Sequence, residues 1–285
     1  ASIFLQGQIT NDITLVTETK SIYAGFCNPK GRLLAFFHIV KYYNNYLLFC
    51  PKSIAESITK RLSMYILRAK VKIELNPDDV MYFGICNNNT GNQLDAGIEN
   101  PKYPMDVINN QSLTIIRLSS VGLRLMFVGG KNECSNFIET RFSCAIKDEE
   151  SGWNVHDINS GIPNIFLETQ ELFIPQSINL DLIEAINFKK GCYTGQEIVA
   201  RTHYLGKPKR RMYIATIESK NPPNYSNVIT EGDESVGHIV DFSDIGNNNF
   251  RLLIETRIES ISLELMVNGT KILLSDSEVV KFKLN

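Results

Sequence analysis

FKKGCYTGQEIVARTHYLGKPKRR, residues 188–211, places one cysteine, Cys192, between Gly191 and Gly195 and surrounds it with charge. From Lys189 to Arg211 there are seven Lys or Arg, one His and a single acid, Glu197. The whole chain carries a formal charge of −2, so everything outside this window sums to about −8. A thiolate is the reactive form of cysteine, and neighbouring cations or a helix N-terminus favour it. Gly191 and Gly195 permit a tight turn that presents the sulfur. From Gln196 the spacing of Ile198, Val199, Thr202 and Leu205 predicts one to two helical turns, closed by Gly206 and Pro208. Cys192 then sits in the loop just ahead of a helix, where amide N–H groups favour an anion. A structural reading stands beside this one. A lone cysteine is more often a small buried hydrophobe, and basic runs are usually solvated faces.

At 285 residues and 43% hydrophobic, the chain can bury more than one core, so two or three domains are expected. No global basic excess marks a general nucleic-acid binder, and no apolar run approaches the length that spans a bilayer. Residues 1–11 lack the basic start and apolar centre of a secretory leader. Six cysteines are never closer than ten residues, with no CxxC pair and no metal-type spacing to the four histidines. Reduced thiols in a cytoplasmic compartment, no structural metal and a monomer are therefore expected.

Outward from the cysteine, the chain divides at 206. Residues 1–206 read as two α+β units and residues 207–285 as an all-β domain. Tyr23–Cys27 and Arg32–Lys41 flank a type I turn at Asn28-Pro29-Lys30-Gly31 and form a hairpin, with Tyr46–Cys50 as a third strand. Ser53 and Glu56 make a capping box ahead of a helix to about Arg68. Val71–Leu75 and Met81–Cys86 are further strands, 87–111 an Asn-, Gly- and Pro-rich loop, and Leu113–Leu118 and Leu123–Val128 another strand pair. Helices are expected near 131–142 and 148–160, the latter holding the only tryptophan, Trp153. Past Arg211, short strands at 211–217, 235–241, 250–256, 262–267, 271–274 and 279–284, with a type I′ turn at Asn268-Gly269, indicate a small barrel or sandwich. No serine-hydrolase elbow, zincin motif, P-loop or dinucleotide fingerprint occurs. Cys192 and His203 could pair as nucleophile and base, but no third group orients them.

IPQSINLDLIEAINFKKGCYTGQEIVART, residues 174–202, closely resembles the signature of YgfZ-type folate-binding proteins, relatives of the glycine-cleavage T-protein. LQGQITND (5–12), CNPKGRLLAF (27–36) and WNVHDINSGIPNI (153–165) extend the resemblance over nearly the whole chain. It implies an α+β, T-protein-like ring of three domains: two interleaved α+β units and a C-terminal β-barrel. It also implies a bound tetrahydrofolate or derivative. The function implied is accessory, in the maturation or repair of iron–sulfur enzymes, some of which modify tRNA, with iron–sulfur client or assembly proteins as partners and only an indirect tRNA link. Turnover is not implied. By the same resemblance Cys192 is the functional thiol. Lys190, Gly191, Tyr193, Gly195, Gln196, Glu197 and Arg201 are placed with it, and Trp153 matches a folate-contacting tryptophan. Asn159 falls where the family usually carries a glutamate facing the pterin, so pterin affinity is expected to be weaker. The family strand that precedes LQGQ, with another folate-contacting aromatic, has no counterpart here, so either the chain is trimmed or its first sheet has a different edge, and folate contacts are expected to be fewer. Two other readings remain open: a true aminomethyltransferase, and an RNA-binding or scaffold protein that uses the basic window.

Overall fold

The computed structural model describes residues 1–87, 98–110, 112–118, 123–142 and 150–275. Its first sheet is an antiparallel meander of β1 (Ile22–Cys27), β2 (Leu33–Tyr42) and β3 (Asn45–Phe49). The turn between β1 and β2 closes as expected: Gly31 N–H donates to the Asn28 carbonyl at 2.9 Å, and the Asn28 side chain accepts from Lys30 and Arg32 N–H. Both faces of this sheet are covered, so β1 is buried throughout rather than alternating. One face packs on α1 (Ser2–Gln6) and α2 (Lys52–Ser63) through Leu5, Phe26, Phe37, Ile54, Ile58 and Leu62. The other meets Ile158, Ile162 and Leu180 through Tyr23, Leu33 and Phe36.

Two local expectations fail here. The Ser53–Glu56 capping box does not form, because α2 starts two residues earlier with Pro51 at its N-cap and no side-chain cap; Glu56 pairs instead with Lys60 at 2.7 Å. The helix ends at Ser63 rather than Arg68, and residues 71–75 form no strand. Their alternation is local: Lys72 and Glu74 pair with each other in solvent, Ile73 packs on the core, and no strand among the described residues pairs with them.

The second sheet runs β4-β7-β6-β5 with β4 (Val80–Asn87), β5 (Val107–Asn110), β6 (Leu113–Arg117) and β7 (Leu123–Gly130), followed by α3 (Lys131–Arg141) and α4 (Glu150–Asn159). The edge strand β5 lies inside the stretch read as loop; half of it is asparagine, and only pairing to β6 makes it a strand. Lys20 bridges Asp106, Ser21 N–H donates to the Met105 carbonyl and Val107 N–H to the Thr19 carbonyl, so the two sheets are laced together.

The last strands close a barrel in the order β10-β11-β8-β13-β12-β9: β8 (Arg210–Glu218), β9 (Val228–Glu231), β10 (Glu234–Gly246), β11 (Asn249–Arg257), β12 (Met266–Val267) and β13 (Thr270–Leu274). Closure removes exposed strand edges. It also decides between barrel and sandwich. The expected strand over 262–267 shrinks to two residues after a 3₁₀ turn, β9 was not anticipated, and the expected strand at 279–284 lies outside the described residues. Asn268 and Gly269 have φ of 51° and 75°, the turn their sequence predicts.

Residues 174–186 join these parts. Asn11 donates to the Glu184 carbonyl and Thr10 to that of Ala185, Gln176 donates to the Val199 carbonyl, and Asn179 to that of Met212. Arg211 grips Asp181 with two bonds of 2.6 and 2.9 Å. These are buried or half-buried polar pairs, so separating the barrel from the sheets would strand several at once.

Candidate functional site

The motif octet folds as an extended turn leading into α5 (Gln196–Tyr204), capped by Gly195. Gly195 adopts φ +82°, a conformation that residues with a side chain rarely take. A Cβ there would lie 2.4 Å from the Asn28 carbonyl oxygen and 3.0 Å from the Gly31 Cα, so the motif presses backbone to backbone on the β1–β2 turn. Ile198 closes the other side, its Cβ 2.8 Å from where a Gly31 Cβ would be. Gly191 meets nothing within 4 Å, and Cys192 beside it is exposed. Two glycines flank the thiol for different reasons: one fits a crowded contact, the other lies on the open side of the turn.

The octet's other members divide between support and surface. Lys190 is buried and donates to the Gln6 and Ile9 carbonyls at 2.6 and 2.7 Å, which holds the C-terminal end of α1. Its ammonium lies 4.9 Å from the centre of the Tyr193 ring. Burial lowers the Lys190 pKa to about 8, while Asp12 pulls the other way. Tyr193 is buried, and its phenol is pushed up by desolvation. Gln196 is half-buried, and Glu197 and Arg201 are exposed on α5. Of the seven cations in the window, Lys190 points inward, Arg210 pairs with Glu255 and Arg211 with Asp181. The collar is therefore thinner than the sequence count.

Trp153 and Asn159 stand on α4, at the other end of β1. Tyr23, the second residue of β1, is electrostatically coupled to Asp157 and Arg124, whereas Cys27, the last, sits 3.1 Å from where a Gly195 Cβ would be. Four extended residues separate them, about 13 Å. The Trp153 ring covers Gly84 so closely that a Cβ there would meet it at 2.0 Å, and the Arg124 guanidinium lies 4.4 Å from the ring centre. Arg124 is 2% exposed and bonds Asp157 Oδ1 through Nη2 at 2.8 Å. Among the described residues its Nε and Nη1 have no hydrogen-bond partner, a costly state for buried N–H groups. Asp157, 16% exposed, keeps one edge towards solvent, and burial raises its pKa against the pull of Arg124. Asn159 is exposed, and its carbonyl oxygen accepts from Arg251 Nε of β11 at 2.8 Å. Close by, Asp241 of β10 is fully buried, held by Asn164, Tyr225 and its own neighbour's N–H. Desolvation raises its pKa to about 7.

The sequence reading did not single out Arg124, Asp157, Tyr23 or Arg251. A signal existed: Arg124 is a lone charge in the apolar run Leu123–Val128, and a buried arginine in such a run needs a partner.

This arrangement of two laced sheets and a closing barrel is shared with a solved structure, the glycine cleavage system aminomethyltransferase T from Bartonella henselae, which superposes with a TM-score of 0.72 over 98% of this chain and 81% of its own, at 13% identity. No family model matches the chain. Among curated proteins, "tRNA-modifying protein YgfZ" of Aliivibrio fischeri is 31% identical over 235 residues, covering 82% of this chain and 70% of that protein. Its namesake in Vibrio atlanticus is 32% identical over 234 residues, covering 82% and 69%. The one in Hamiltonella defensa is 31% identical over 223 residues, covering 78% of this chain and 66% of its own length. The chain belongs to the YgfZ family.

Proposed function

We propose that this chain is a tetrahydrofolate-binding accessory protein for the maturation or repair of iron–sulfur enzymes, including ones that modify tRNA, with Cys192 as its working thiol. Residues 1–206 act as the folate-binding part and residues 207–285 as the barrel that closes against it, at work in the cytoplasm. One observation carries the reading: an exposed thiol on a motif turn that is pinned, through Gly195, to the strand whose other end meets the Trp153 cluster. The residues of that cluster suit a pterin. An indole offers a stacking face, Arg124 has two unused N–H donors, and Asp157 supplies a carboxylate for an amide edge. Asn159 and Arg251 stand beside them on α4 and β11, with amide and guanidinium in place of the family's glutamate. A bound reduced folate would bring its one-carbon chemistry; the chain's own groups bind and orient it.

The tests are separable. Adding a reduced folate should quench Trp153 emission saturably, and unchanged emission at saturating ligand would remove the indole from the site. Cys192→Ala should fold normally yet fail to complement an iron–sulfur maturation defect; full complementation would dismiss the thiol. The aminomethyltransferase reading rests on the fold alone and predicts that Cys192→Ala retains function.

A further inference from the structure

The C-terminal half of α5 carries a surface that neither the thiol nor the Trp153 cluster uses. Phe188 stacks face to face on His203 at 3.6 Å between centroids, Tyr204 stands edge-on to both, and Tyr204 Oη donates to the Phe188 carbonyl. These contacts hold Phe188, the residue before Lys189, against the end of α5, and Lys207 and Lys209 follow that helix in the chain. Tyr204 is 64% exposed and Leu205 82%. Lys189, Arg201, Lys207 and Lys209 are all exposed, and among the described residues none has a carboxylate within ion-pair distance, although Lys190, Arg210 and Arg211 in the same window are all engaged. Four unpaired cations around an exposed aromatic ledge leave uncompensated positive charge on a chain whose remainder is acidic.

We infer that this ledge, formed by Lys189, Arg201, Tyr204, Lys207 and Lys209, docks single-stranded RNA directly. The cations complement phosphates, and the Tyr204 ring offers a face on which a base can stack without sequence preference. An acidic protein segment would satisfy the lysines equally, but it has less use for a solvent-facing phenol next to a stacked Phe–His pair. The surface is independent of the folate reading, and its test needs no folate.

Fluorescence anisotropy of a labelled oligouridylate of about 12 nucleotides, followed from about 50 to 200 mM salt, should show binding whose log–log slope is about −2 to −3, the release expected from three or four phosphate contacts on a single strand. The charge reversal Lys189→Glu, Lys207→Glu and Lys209→Glu should weaken binding at least ~10-fold at low salt. Tyr204→Ala should weaken it at least ~5-fold. Reversing Lys52, Lys70 and Lys102, exposed elsewhere, imposes the same change in net charge and should leave binding intact. If the triple reversal disturbs folding, neutral Lys207→Gln with Lys209→Gln replaces it. Absence of salt-dependent binding overturns the proposal, as does equal loss in the control variant. Equal binding of a polyglutamate peptide of similar length also overturns it and gives the ledge to an acidic protein.

Discussion

The Asn28 carbonyl oxygen lies 2.4 Å from where a Cβ on Gly195 would stand, so at this point the motif loop and the first β-turn meet backbone to backbone. With φ at +82°, Gly195 is doubly constrained, by conformation and by space. That contact sets where α5 begins and hence where Cys192 points.

Gly195→Ala should therefore cost at least ~2 kcal/mol, combining the left-handed conformation with a contact that only backbone movement relieves. Urea unfolding measures it. A midpoint equal to wild type would show that the two turns can separate freely.

Gly84→Ala tests the seat of the indole. The new methyl would overlap Trp153 Cζ3, so the ring must leave its place against Arg124, at about 1–3 kcal/mol. Trp153 is the only tryptophan, and a shift in emission maximum reports its displacement directly. An unchanged spectrum would place the ring elsewhere in solution.

Lys190 predicts a rise in stability at alkaline pH. Its pKa falls from an ordinary value near 10.5 to about 8 in the fold, so between these values the unfolded chain binds more protons. Stability then increases with pH across that interval, because the cost of burying the ammonium disappears. Replacing it by Gln should flatten this segment of the curve and loosen α1, since the Gln6 and Ile9 carbonyls lose a charged donor. Parallel curves for variant and wild type between about pH 8 and 10.5 would contradict it.

Asp241 acts in the opposite sense. Its folded pKa of about 7 exceeds the ordinary 3.8, so the native state holds the extra proton and this group's contribution falls as pH rises from about 4 to 7. Asp241→Asn should stabilise the protein at pH 8 by roughly 2–4 kcal/mol relative to wild type, and much less at pH 4. Thermal unfolding at the two pH values checks it, and a pH-independent difference would mean that Asp241 is charged throughout.

Much of the local geometry around Cys192 was legible in the residues. The glycines and cysteine of 188–206, the helix after them and the turn at 28–31 all follow from local rules: glycine at positive φ, apolar spacing at 3.6, proline and glycine in a turn. Reading charge as surface was less reliable. Lys190 counts as one more cation in a basic run, yet its ammonium caps a helix 184 residues away in the chain. The Ser53–Glu56 pattern met the local rule for a cap, but the chain entered the helix at Pro51, where the sheet delivers it.

What the chain determined by itself was the motif turn, the helix after it and the strand-rich tail, because each depends on neighbours close in sequence. Tertiary structure decided the rest. Arg124 on β7 met Asp157 on α4 and Trp153, Gly195 met Asn28, and Arg251 met Asn159, all across separations that no local pattern encodes. Pairing, burial and pKa shifts depend on distances through space, and those distances exist only once the sheets and the barrel have closed on one another.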